Sequence, residues 1–255
     1  AEYMGDCVIV TMLSATLLCV LLSVVTGAPA HVRIVNGTDT KPGQFPFQIS
    51  LQYDGSHVCG GTIVSGSWIL TAAHCVAEEI AADFTVLAGT NVLSKEGERR
   101  QVLQYVIHPG YDPENNYEND IAVLELLSPL SMTGAMAGVT LPSQSQVTEG
   151  GVTSTVIGWG YLFTEGPTSD TLQMVNVITY SDEECQEVLP GYVTATNICA
   201  GVPDGGKGHC SGDSGGPLIV KEYQAGIVSW SVKPCAQPPY PGVYTEVAHY
   251  VDWIR

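Results

Sequence analysis

The sequence predicts an all-β protein of antiparallel sheet, closed as a barrel or stacked as a sandwich. From Ile34 onward, short runs rich in Val, Ile, Thr and Leu alternate with clusters of Gly, Pro, Asn and Asp. That spacing of strand and turn signals is the mark of such sheets. Glycine and proline, 28 and 15 of 255 residues, are spread through the turns rather than pooled in a hinge, so no linker divides the chain.

The expected strands follow in order. FQISLQY (47–53), GTIVSGSWIL (61–70), FTVLAG (84–89), QVLQYVIH (101–108) and IAVLELL (121–127) fill the first half. STVIGWG (154–160), TLQMVNVITY (171–180), PLIVKEYQAGIVSW (217–230) and GVYTEVA (242–248) fill the second. Helical periodicity is convincing only at SDEECQEVL (181–189) and AHYVDWIR (248–255).

A hydrophobic fraction of 45% supplies ample core for one large domain or two small ones. Net charge is −17, from 9 Lys plus Arg against 26 Asp plus Glu. So acidic a surface repels phosphate backbones, which excludes nucleic acid as an expected partner.

Residues 8–25, VIVTMLSATLLCVLLSVV, are almost wholly apolar and lead into the small residues TGAPA. This pattern reads as a secretory signal peptide over residues 1–27, with extra leader residues at its start and cleavage after Gly27 or Ala28. The flank fits poorly, since it carries Glu2 and Asp6 and no Lys or Arg. A retained membrane anchor is the alternative, as the run is barely long enough to span. Removing residues 1–33 leaves a net charge of about −16 and six cysteines: Cys59, Cys75, Cys185, Cys199, Cys210 and Cys235. An even number in a secreted chain reads as a disulfide framework, with about fifteen pairings allowed. Zinc is the weaker reading of His74-Cys75 and His209-Cys210, because neither pair has CxxC or HExxH spacing.

Gly212, Ser214 and Gly216 spell G-x-S-x-G, which has two rival readings. As the nucleophile elbow of an α/β-hydrolase it needs an Asp and then a His downstream, and a strand–helix alternation. Only His249 follows, and the alternation is missing. The order His, Asp, Ser has candidates in TAAHC (71–75), NDIAVL (119–124) and GDSGGP (212–217). A serine hydroxyl needs an imidazole to accept its proton, and the imidazole needs a carboxylate to hold its tautomer. His74, Asp120 and Ser214 are thus the candidate base, orienting acid and nucleophile.

These three motifs, with IVNG (34–37) and SW (229–230), make the chain resemble a chymotrypsin-family serine protease over nearly all of Ile34–Arg255. The resemblance implies two antiparallel six-stranded β-barrels, a C-terminal helix and an active site in the cleft between barrels. It places His74 and Asp120 on the first barrel and Ser214 on the second. It implies an oxyanion hole from the N–H groups of Gly212 and Ser214, with glycine letting the backbone turn. RIVNG (33–37) resembles the activation junction, giving a propeptide at 28–33 and a protease domain at 34–255. Cleavage after Arg33 would free the Ile34 amine to pair with Asp213; Ser50 and His57 match positions that hold this aspartate beforehand. The implied disulfides are Cys59–Cys75, Cys185–Cys199 and Cys210–Cys235. Asn36-Gly37-Thr38 satisfies the glycosylation pattern.

Relatives that cut after Arg or Lys carry an aspartate six residues before the serine, where this chain has Gly208. A second site for a basal carboxylate matches Gly242, also uncharged. Without that carboxylate a guanidinium would be desolvated with no partner, so trypsin-like specificity is disfavoured. Ser229, Trp230 and Ser231 would form one wall of the pocket, and His209, Cys210 and Ser211 the other. The expected preference is for large apolar residues (Phe, Tyr, Leu or Met) at P1, the residue whose carbonyl is attacked. The alternative is a mixed or acidic preference through a protonated His209, aided by Lys207. His108 and His249 are read as packing or surface residues. The loop where relatives bind calcium has Thr90 in place of an acid, with Glu96 and Glu98 as loop charges, so no metal or cofactor is expected. The implied partners are protein or peptide substrates, a trypsin-like activating protease and protein protease inhibitors, for a secreted monomer. The rival from another class is a non-catalytic homologue acting as a binding protein.

Overall fold

A computed structural model describes residues 34–255. The expected signal peptide, the propeptide and Arg33 lie outside the described residues. Among the described residues no helix is long and apolar enough to cross a membrane.

Twelve of the thirteen strands among the described residues build two closed antiparallel six-stranded barrels. The first contains β2 (Gln48–Tyr53), β3 (Ser56–Ser65), β4 (Trp68–Thr71), β5 (Phe84–Ala88), β6 (Glu98–Ile107) and β7 (Ala122–Leu126). It closes in the order β2-β3-β4-β7-β6-β5, with β2 also pairing β5 through Ser50↔Leu87 and Tyr53↔Phe84. The second contains β8 (Thr153–Gly158), β9 (Gln173–Thr179), β10 (Asn197–Gly201), β11 (Pro217–Val220), β12 (Tyr223–Trp230) and β13 (Gly242–Glu246). Its order is β9-β10-β13-β12-β11-β8, and β8 pairs β9 to close the ring. A two-residue strand, β1 (Thr38–Asp39), attaches outside the ring to β9.

The inward face of each barrel is aliphatic, which is why the short apolar runs close on themselves. Ile49, Leu51, Ile63, Ile69, Phe84, Val86 and Leu124 fill the first core. Val156, Val175, Val177, Ile198, Leu218, Val228 and Tyr244 fill the second, together with Ile34. Fully burying one such side chain is worth about 1.5–3 kcal/mol, so together they dominate the stability of both rings.

Two helices close the picture. α1 (Asp182–Val188) is seven residues long and starts with a capping box, Ser181 Oγ accepting from Glu184 N while Glu184 Oε2 accepts from Ser181 N. α2 (Val251–Ile254) is one turn, preceded by a 3-10 turn at Val247–His249. It is shorter than the 248–255 run expected, because Val247–Tyr250 takes the tighter turn first.

The barrels meet where the turn carrying Ser214 touches β3. Gly60 N donates to Ser214 O at 2.7 Å, and Thr62 Oγ1 donates to Gln224 Oε1 at 2.7 Å. A Cβ at Gly60 would lie 2.9 Å from Gly216 Cα, so the approach requires glycine there. The sulfurs are paired Cys59–Cys75, Cys185–Cys199 and Cys210–Cys235. Cys59, His74 and Cys75 form the described His/Cys cluster, but its two sulfurs are bonded to each other.

Candidate active site

His74 sits in the 3-10 turn Ala73–Cys75 that follows β4, pinned by the Cys59–Cys75 bridge. Asp120 precedes β7 and is wholly buried. Its Oδ1 accepts from the His74 backbone N–H at 2.9 Å, and its Oδ2 meets His74 Nδ1 at 2.7 Å. Both contacts fix the imidazole, and the second requires the proton on Nδ1, leaving Nε2 free to accept one. Two further groups hold Asp120: Ser229 Oγ donates to Oδ2 at 2.6 Å, and Thr245 Oγ1 donates to the backbone carbonyl at 2.9 Å. Neither role was read from the sequence, where Ser229 is only a pocket wall.

Ser214 faces the same cleft as His74, together with Tyr117, His209, Cys210, Ser211, Gly212, Ser229, Trp230, Ser231 and Lys233. The hydroxyl and the imidazole share this space without a closed Oγ–Nε2 hydrogen bond, a common state before substrate arrives. Tyr117 stands edge-on to His74, with centroids 5.6 Å apart.

The turn carrying Ser214 is held at positive φ on both sides, +88° at Gly212 and +77° at Gly215. A Cβ at Gly215 would strike Thr71 Oγ1 and lie 2.6 Å from Gly60 O. Glycine is therefore demanded by sterics as well as dihedral. The Gly212 carbonyl accepts from His57 Nε2 at 2.9 Å, and Ser50 Oγ lies 2.9 Å from His57 Nδ1. Donation to a carbonyl puts the proton on Nε2, so Ser50 donates to Nδ1. Burial lowers the basicity of His57, which keeps this relay neutral.

Ser50 and His57 thus hold the Gly212 carbonyl here, and the Asp213 carboxylate takes backbone donors instead. Its Oδ1 accepts from Gly160 N at 2.8 Å and its Oδ2 from Cys210 N at 2.9 Å. Asp213 is fully buried, and burial raises its pKa to about 7 against the pull of those two donors. Ile34 is also fully buried, in the core of the second barrel.

The base of the slot differs from a plain apolar hole. His209 is buried, its ring lying 5.1 Å from that of Tyr244, and a Cβ at Gly242 would overlap its Nε2. The ring lines both the open cleft and a small cavity of about 10 Å³ behind it, which Gly208, Ser231, Ala236 and Gly242 also border. Burial, with the Lys233 charge nearby, pushes the His209 pKa down to about 3, so the imidazole is neutral. Lys233 reaches over the cleft rim, its Nζ donating to Ser211 Oγ at 3.0 Å. Lys207 is exposed.

The other singled-out residues fall outside the cleft. His108 packs edge-on against Tyr250 and Trp253, both at 5.2 Å, and His249 pairs with Glu246 at 3.2 Å. Glu98 is engaged by Arg100 and by Ser131 N at 2.9 Å, and Thr90 Oγ1 caps its own turn at Val92. Asn36 is exposed.

Comparison with known proteins matches residues 34–254 to the family described as Trypsin. Among similar curated proteins, Serine protease 56 of Mus musculus is 38% identical over 237 residues, covering 89% of this chain and 39% of that protein. The chain thus spans about two fifths of the length of that relative. Trypsin of Phaedon cochleariae is 36% identical over 229 residues, 88% of each chain. Kallikrein-11 of Homo sapiens is 36% identical over 246 residues, 92% of this chain and 84% of the relative.

Proposed function

The chain belongs to the trypsin family of serine proteases, and on that premise we propose that it is a secreted endopeptidase, made as a zymogen and working through an acyl-enzyme. The observation that carries the proposal is the buried Asp120–His74 pair opening onto the cleft that Ser214 faces. With Nδ1 protonated, His74 Nε2 accepts the Ser214 proton as Oγ attacks the scissile carbonyl carbon. The carbonyl oxygen takes the negative charge and is met by the N–H groups of Gly212 and Ser214. The imidazolium then protonates the departing amine as the C–N bond breaks. Water, deprotonated by the same imidazole, attacks the ester and releases Ser214 with its proton restored. Metal and cofactor have no role in these steps.

Activation follows from Asp213. A wholly buried carboxylate held only by backbone donors is an incomplete ion pair, and a neighbouring ammonium completes it. Cleavage after Arg33 supplies one at Ile34, whose side chain is already packed in the core of the second barrel.

Gly208 and Gly242 leave the slot without a carboxylate, which supports uncharged P1 residues of the Phe, Tyr, Leu and Met class over Arg and Lys. The acidic alternative loses its main support because His209 is neutral. The partners proposed are protein or peptide substrates, an activating protease and protein protease inhibitors. The test is to activate the precursor with trypsin and assay peptides differing only at P1: Phe, Leu, Glu and Arg. Fast cleavage after Arg overturns the pocket reading. No cleavage of any peptide, with no labelling of Ser214 by an organophosphonate, overturns the protease reading in favour of a binding homologue.

A further inference from the structure

Two polar atoms at the base of the slot lack a partner within the protein. His209 Nε2 and Tyr244 Oη are both buried and unpaired. Both face the space over Gly242 Cα, where a Cβ would overlap Nε2 and stand 3.2 Å from Oη. An orphaned buried donor or acceptor is costly, so two side by side mark a place where a third group completes them. The cavity beside the His209 ring holds about 10 Å³, room for about one oxygen-sized group. His209 and Ser231 border this cavity and the open cleft alike, so a side chain entering past Ser231 ends there.

We propose that His209 and Tyr244 form a hydrogen-bonding floor that selects P1 side chains ending in an uncharged polar group, a phenolic hydroxyl or a carboxamide, over their apolar isosteres. The inference rests on the endopeptidase reading and sharpens its substrate class. A neutral imidazole offers one donor and one acceptor, and a phenol offers both, so the pair can donate to the tip and accept from it. Burial pushes the Tyr244 phenol upward, so it keeps its proton. A charged tip entering the same buried space loses its hydration. Gly242 is part of the device, since a side chain there would strike the His209 ring.

The test uses the full precursor activated by trypsin, with two pairs of peptides alike except at P1: Tyr against Phe, and Gln against Met. The polar member of at least one pair should be preferred by about tenfold or more in kcat/KM, the value of one good hydrogen bond. Tyr244→Phe and His209→Leu should each reduce that preference towards one, with organophosphonate titration of Ser214 reporting the fraction of folded, competent sites. Equal or faster cleavage of both apolar members overturns the proposal, as does a preference that survives both substitutions. Either result leaves the endopeptidase standing, because it is read from peptides that are cleaved. Failure of every peptide together with failure of titration instead removes the endopeptidase reading on which the proposal rests.

Discussion

Ser229 donates to Asp120 Oδ2 at 2.6 Å, on the same oxygen that faces His74 Nδ1. One residue of β12, which borders the cleft, therefore also holds the carboxylate that pairs with His74. Hydrogen bonds to a charged group are worth about 1.5–3 kcal/mol, so Ser229→Ala should lower kcat by roughly tenfold or more. A wall residue alone would move KM, whereas a positioning residue moves kcat. The check is a full Michaelis curve with rescue by Ser229→Thr.

Gly212→Ala tests the oxyanion donor. The added Cβ would stand 3.1 Å from Gly160 Cα in a residue held at φ +88°. Relief by rotation swings the Gly212 N–H away from the developing oxyanion. One such donor is worth about 2.7–4 kcal/mol, so kcat should fall by about 10² to 10³ while KM changes little. Retention of full kcat would refute the assignment of this N–H.

The Cys210–Cys235 bridge joins the start of the nucleophile turn to the Lys233 loop, 25 residues apart. Chain entropy alone makes such a closure worth about 3–4 kcal/mol. The double substitution Cys210→Ser, Cys235→Ser should lower Tm and loosen the floor around His209. Its measure is calorimetry beside the Tyr-to-Phe ratio, which should decline with it.

Much of this architecture was legible because each barrel strand buries its own aliphatic face, and the runs at 84–89 and 121–127 became β5 and β7 nearly as read. β10, NICAG, escaped because it is buried on both faces and carries neither alternation nor a β-branched run. The runs at 61–70 and 217–230 each proved to hold two strands, since Gly66 and Lys221 lie in turns too tight to register as loops. Within the site, the motifs placed His74, Asp120 and Ser214 because chemistry restricts those residue types. Tyr244, Thr245 and Lys233 carry no such restriction in sequence. Their parts follow from β13 and the Lys233 loop folding against the slot, which only tertiary pairing creates. His209 was noticed, but its neutrality comes from burial that no spacing reveals.

The proposed pairing of Asp213 with the Ile34 amine makes folding stability depend on pH. In the single chain the folded pKa of Asp213 is about 7, above the ordinary 3.8. The folded precursor therefore binds more protons than the unfolded chain between those values, and its stability falls as pH rises from about 4 to about 7. On the proposed activation, the Ile34 ammonium pairs with the carboxylate and removes that loss. Glu246, also raised to about 7, is common to both forms and cancels in the comparison. The Tm of the cleaved enzyme minus that of an uncleavable Arg33→Gln precursor should thus grow across pH 4 to 7. It should shrink again above about pH 8, where an α-amine loses its proton. Scanning calorimetry of the two proteins over that range decides the matter, and a flat difference would separate Asp213 from activation.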